Sequence, residues 1–215
     1  MNQKVIIALS LAAGLLIGVA VSAYTWINAQ VGYAMTQPGL LKGKLLVQWV
    51  AADQFIFLPD TENPLTFTRS DGTVIQPQRM FTDGGSIPPA LRALKSYSPW
   101  GFAPAFIVHD WIFTLKHCKI PGYETYDLDG AASVMSEVMK TLMQDPRYGG
   151  ANPLVHYSFH EAVQSPTARR YWETGTCATD KGAKSDAGPA SERSNKKMAE
   201  PTQAAPPIAT YTLEF

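Results

Sequence analysis

Near its middle the chain places two proton-handling groups where they are costly to bury. The run Phe106-Ile107-Val108-His109-Asp110-Trp111-Ile112-Phe113 is apolar on both sides of a single histidine-aspartate pair. A neutral imidazole accepts a proton near neutral pH, and a carboxylate orients such a ring or binds a cation. Burying either group without a partner is unfavourable, so the pattern asks for partners. Successive helix residues point about 100° apart, which predicts that Asp110 does not align His109 and that another element supplies the acid. Asp129 is the best candidate. A helix over Ala105–Lys116 can turn back against one starting near Leu128, and Gly130, Ala131 and Ala132 leave room for close approach. An acid at that position also complements the positive end of its own helix, so the structural role stays open beside the catalytic one.

The segment Thr82-Asp83-Gly84-Gly85-Ser86-Ile87-Pro88-Pro89 is a second cluster. The Asp83 carboxylate and the main chain at Gly84 and Gly85 offer oxygen ligands of the kind calcium takes, whereas zinc would use His109 with Asp83 and either Asp110 or Asp129. Asp-Gly is equally an ordinary turn. Ser86 lacks the strand–nucleophile–helix elbow of a serine hydrolase. His156 and His160 lie four apart without an HExxH pattern and are read as packing or hydrogen-bonding groups. His117-Cys118 has no third member for thiol catalysis. The chemistry these residues suggest is metal-assisted hydrolysis of an ester or amide. His109 and Asp129 would move the proton, and Asp83, Gly84, Gly85 and Asp110 would hold a divalent calcium or zinc ion. The alternative is a noncatalytic envelope or phage-associated protein, in which His109, Asp110 and Asp129 form a buried network that fixes helix packing.

The elements that must position these groups form an α+β domain. No charged residue occurs between Lys4 and Lys42, and Val5–Ala23 is apolar enough to approach the roughly 30 Å hydrocarbon core as a helix. Tyr24 and Trp26 suit the membrane interface. Residues 1–27 are therefore a signal-anchor or, given the small residues Val21-Ser22-Ala23, a cleavable signal. The expected location is the inner membrane, single-pass with the domain outside, or the periplasm or exterior after cleavage. Residues 28–41 read as a connector. A single domain over 42–176 would begin with short strands at Leu45–Val50, Gln54–Leu58, Leu65–Thr68 and Thr73–Ile75, forming a small antiparallel sheet. Packed helices follow at Ala105–Lys116, from Asp127 through Leu142, from Asn152 to about Gln164, and after Ser165-Pro166. Residues 177–215 read as a flexible tail in which Ile208–Phe215 can dock as a strand. With 18 basic and 18 acidic residues, nothing in the overall charge points to nucleic acid. The partners expected are the membrane, a phospholipid or other envelope substrate, or a phage or envelope protein. Cys118 and Cys177, the only cysteines, either pair or stay as separate thiols.

These motifs resemble an uncharacterised family of bacteria and phages. Its members carry a threonine-aspartate-glycine…serine-isoleucine-proline segment, here Thr82-Asp83-Gly84-Gly85-Ser86-Ile87-Pro88. An apolar helix with histidine-aspartate follows, here His109-Asp110, and the family's later alanine-aspartate stands here as Leu128-Asp129. The resemblance spans about Leu45–Trp172 and implies a shared small fold without an assigned reaction. The order of glycine loop, helical histidine-aspartate and later aspartate is also similar to secreted phospholipase A2. That resemblance implies His109 as the water-activating base, Asp110 as a calcium ligand, Asp129 as the orienting acid and Gly84 and Gly85 as loop ligands. The dense cysteine framework of that family is absent.

Overall fold

A computed structural model describes residues 3–51, 54–82, 99–177 and 207–215. The chain opens with one unbroken helix, α1 (Gln3–Met35), that is long and apolar enough to cross a membrane over Ser10–Met35. Its 33 residues extend for about 50 Å, more than a bilayer core requires. The surplus is used at the C-terminal end. Thr25, Asn28, Ala29, Gly32, Tyr33 and Thr36 recur at helical spacing as its covered residues, and Ala29 is fully buried. The stretch expected to be a connector is thus largely helix, because one side of it packs against the domain.

Among the described residues seven strands follow the α+β expectation but divide into two antiparallel sheets instead of one. They are β1 (Leu40–Lys42), β2 (Lys44–Ala51), β3 (Gln54–Pro59), β4 (Thr66–Thr68), β5 (Val74–Ile75), β6 (Met80–Thr82) and β7 (Ala209–Glu214). One sheet has the order β1-β4-β5 and the other β6-β3-β2-β7. In the first, Leu41, Phe67 and Ile75 stand opposite one another and are all buried. In the second, Val47 faces Phe57, and both point inward with Leu45. Gly43 makes the change of sheet possible. Its φ is +96°, and a Cβ there would fall 2.1 Å from the Pro64 carbonyl oxygen, where the neighbouring Lys44 amide bonds Asn63 O.

Among the described residues four further α-helices follow: α2 (Ala103–Cys118), α3 (Leu128–Met143), α4 (Pro153–Val163) and α5 (Pro166–Thr174). Their starts carry the chemistry expected of them. Asp127, Asn152 and Ser165 accept from the amides of Gly130, Val155 and Ala168, and Pro153 and Pro166 follow their caps. α2 is buried on nearly every side from Ala103 to Phe113, as a central helix must be. α3 packs against it with Ala131, Val134, Met135, Val138 and Met139, all fully buried.

The outer side of α3 ties the parts together. Glu137 accepts two bonds from Arg69 beyond β4, at 2.7 and 2.8 Å, in a bidentate pair. The Lys140 ammonium donates to the Tyr33 and Thr36 carbonyls at 2.6 and 2.7 Å, satisfying the end of α1. Thr141 Oγ1 accepts from the Gly39 amide at 2.8 Å. Cys118 and Cys177 form a disulfide that pins the chain after α5 to the end of α2. Closing a loop with a sequence separation of 59 constrains the unfolded chain by about 4 kcal/mol in the chain-entropy account. Cys118→Ser/Cys177→Ser should accordingly unfold at clearly lower denaturant concentration than the oxidised chain, and reductant should reproduce the effect. Equal stability of the two forms would contradict this role.

Candidate functional site

The site grows from the junction of β6 with α2. His109 lies on the enclosed side of α2 and is 7% exposed. Its ring stacks obliquely on Phe113 one turn later, with centroids 4.8 Å apart. The Nδ1 atom is 3.4 Å from Asp110 Oδ1. The other carboxylate oxygen of Asp110 accepts a 2.7 Å hydrogen bond from the Thr82 hydroxyl at the end of β6. Thr114, one turn beyond Asp110, donates to its carbonyl and contacts Met80 Sδ, adding a second link between β6 and α2. The arrangement is a chain of three side chains, Thr82 to Asp110 to His109.

Its open end is the imidazole Nε2. Among the described residues this is the one buried side-chain nitrogen or oxygen without a hydrogen-bond partner. With a carboxylate beside Nδ1, the favoured neutral tautomer keeps its proton on Nδ1 and leaves a lone pair on Nε2. An unpaired buried polar atom is costly, which sets it apart from the other described buried side-chain nitrogens and oxygens.

Asp129 is not among the contacts of His109. The reversal between α2 and α3 sets Asp129 beside Lys116 at the end of α2, seven residues past His109, an offset of about 10 Å along the axis. There Asp129 lines an open hollow of about 270 Å³ with Lys116, Asp127, Leu128, Arg169, Trp172 and Glu173. Lys116 is occupied over the Trp172 ring at 4.7 Å. Asp110 stands nearer to His109 than the 100° rule suggests, with Nδ1 and Oδ1 3.4 Å apart.

Of the expected metal ligands, Asp83, Gly84 and Gly85 lie outside the described residues, as does Ser86. Asp110 is described, and its two oxygens face His109 and Thr82. No group of three or more His, Cys, Asp or Glu side chains converges among the described residues, so these residues by themselves do not fit a metal ion. Thr82, whose hydroxyl completes the chain of contacts, is the functional candidate that sequence reasoning did not single out. It opens the Thr-Asp-Gly segment, but its role depends on β6 lying against α2. Comparison with protein-family models, curated proteins and solved structures yields no match.

The remaining histidines work as packing groups. His156 Nε2 donates to the Ser136 carbonyl at 3.1 Å, and its ring meets Tyr33 of α1 edge-on. The Ser136 hydroxyl and His160 Nδ1 are 2.9 Å apart. Burial pulls the His156 pKa down to about 4, with the cations of its neighbourhood acting in the same direction and the Ser136 bond opposing it. Since the unfolded value is near 6.5, the unfolded chain takes up this proton first as the pH falls. The stabilisation from neutral His156 is complete above about pH 6.5 and is lost toward pH 4, an effect of about 3 kcal/mol. His117, lowered mainly by burial, contributes with the same sign. Denaturant titrations across this window should show stability falling with pH, and His156→Phe should flatten the slope. An unaltered slope in that variant would contradict the assignment.

Proposed function

We propose that this chain is a membrane-tethered or exported hydrolase of esters or amides, with His109 as the general base and Asp110 as the acid that orients it. The observation that carries the reading is the buried, unpartnered Nε2 of His109 on a ring whose other nitrogen faces a carboxylate. In this account Nε2 takes a proton from water as the oxygen attacks the substrate carbonyl. Asp110 stabilises the imidazolium that forms, and the same proton then passes to the leaving oxygen or nitrogen. Thr82 holds Asp110 in place by donating to its second oxygen. Envelope lipids and cell-wall components are the substrate classes expected of an enzyme held at a membrane. A divalent ion, if used, would need ligands beyond those described, and no step here is routed through one.

The location proposed is the outer side of the inner membrane. Support comes from the spanning capacity of α1 and from the Cys118–Cys177 disulfide, since such bonds persist in oxidising compartments. Cleavage after Ala23 would still leave residues 24–35 available to cover the domain.

A second reading is favoured by enclosure. The Nε2 atom is sealed off as well as unpartnered, as expected for a polar network that specifies helix packing in a noncatalytic envelope or phage-associated protein. Turnover measurements separate the two. The full chain in detergent would be offered phospholipid vesicles and a soluble aryl ester, with and without chelator. His109→Ala and Asp110→Asn should each lower the rate about 100-fold or more, while Asp129→Asn should leave it within about twofold. A folded His109→Ala variant that hydrolyses as fast as the parent chain would rule out the catalytic reading.

A further inference from the structure

The strand β7 is the outermost of its sheet, and no described strand lies beyond it. It pairs with β2 without a break, from Lys44↔Glu214 to Trp49↔Ala209. Edge strands in natural proteins are usually blunted by proline, lysine, a bulge or short length. β7 has none of these: its sequence is Ala-Thr-Tyr-Thr-Leu-Glu, rich in residues that favour strands. Its inward row also continues the apolar face of the sheet. Leu213 stands opposite buried Leu45, and Tyr211 opposite buried Val47, yet Leu213 and Tyr211 remain 44% and 47% exposed.

The register shows which main-chain groups point outward. Phe215 N donates to Gly43 O at 2.9 Å, so the alternation of an antiparallel ladder turns residues 213 and 211 toward β2, while at the start of the strand Ile208 N also donates to Trp49 O at 2.7 Å. Thr210, Thr212 and Glu214 then direct their N–H and C=O groups to the free edge. We propose that this edge pairs with β7 of a second copy, antiparallel across a two-fold axis at Thr212, joining the two four-stranded sheets into one continuous sheet. The side chains of the strand suit a second copy, and an axis at Thr212 pairs the greatest length of the strand. Thr212 meets Thr212 of the other copy, each Tyr211 meets Leu213, and each Glu214 meets Thr210. All three are favourable or neutral cross-strand pairs, and the strand's single charge never faces itself. An isologous contact of this kind closes at two copies and leaves no growing edge on that side.

The test uses the full chain in detergent, with mass measured by light scattering against protein concentration. The parent chain should be a dimer. Thr212→Pro removes an outward donor without touching the β2 ladder, so it should weaken association at least tenfold with little change in thermal midpoint. Thr212→Lys retains the main chain and opposes two like charges at the axis, and it should do the same. Under mild oxidation Thr212→Cys should cross-link to a dimer, whereas Glu161→Cys on α4 should not. A parent chain that stays monomeric, a dimer unaffected by both Thr212→Pro and Thr212→Lys, or cross-linking of Thr212→Cys no greater than that of Glu161→Cys would each overturn the proposal.

Discussion

The arrangement of this domain turns on the cost of placing an imidazole in a helix that is apolar on nearly every side. His109 is largely buried, so its two nitrogens depend on the few polar groups that reach them. Asp110 answers for one of them, but a carboxylate in the same helix needs support of its own. That support comes from the Thr82 hydroxyl of β6. The four-stranded sheet and the central helix are thereby fixed to each other through a polar contact, in addition to the apolar packing of Met80, Phe57 and Val47 beneath it. The second nitrogen stays unmet. The core satisfies its other described buried side-chain polar atoms and leaves this one without a partner.

A separate set of contacts determines how α1 meets the domain. α3 presents Glu137, Lys140 and Thr141 on its outer side and Ser136 toward α4, and each holds a different element. Lys140 is the decisive one, since it closes the carbonyl end of α1 and also lies 4.7 Å over the Tyr33 ring. His156 braces the same tyrosine from α4. With α1 continuous from its apolar half into this contact, the domain is held to the helix as one piece and not on a loose tether.

Much of this was legible in the sequence because it depends on local rules. Asp127, Asn152 and Ser165 mark helix starts by hydrogen bonds made within three residues, and short runs of branched and aromatic residues between turn formers mark the strands at Leu45–Val50 and Gln54–Leu58. What escaped depends on distant contacts. β1 and β6 are three residues each, too short for a periodic signal, and they exist because β4 and β3 pair with them. The region after Ala23 lacks charge for a reason other than flexibility: one side of it is covered by the domain. His109 and Asp110 were visible as an anomaly, but their partner was not. Helix reversal set Asp129 beside Lys116 instead, while Asp110 came within 3.4 Å of the ring, and neither outcome can be read from spacing along the chain. Thr82 gained its role only when β6 came to lie against α2.

The central claim concerns one proton on one ring, and nitrogen NMR of the histidine-labelled full chain reads it directly. The account predicts that neutral His109 carries its proton on Nδ1, with Nε2 showing the shift of an unprotonated, unpaired nitrogen, and that Asp110→Asn disturbs this resonance more than Asp129→Asn does. A His109 ring protonated on Nε2, or one indifferent to Asp110, would contradict it.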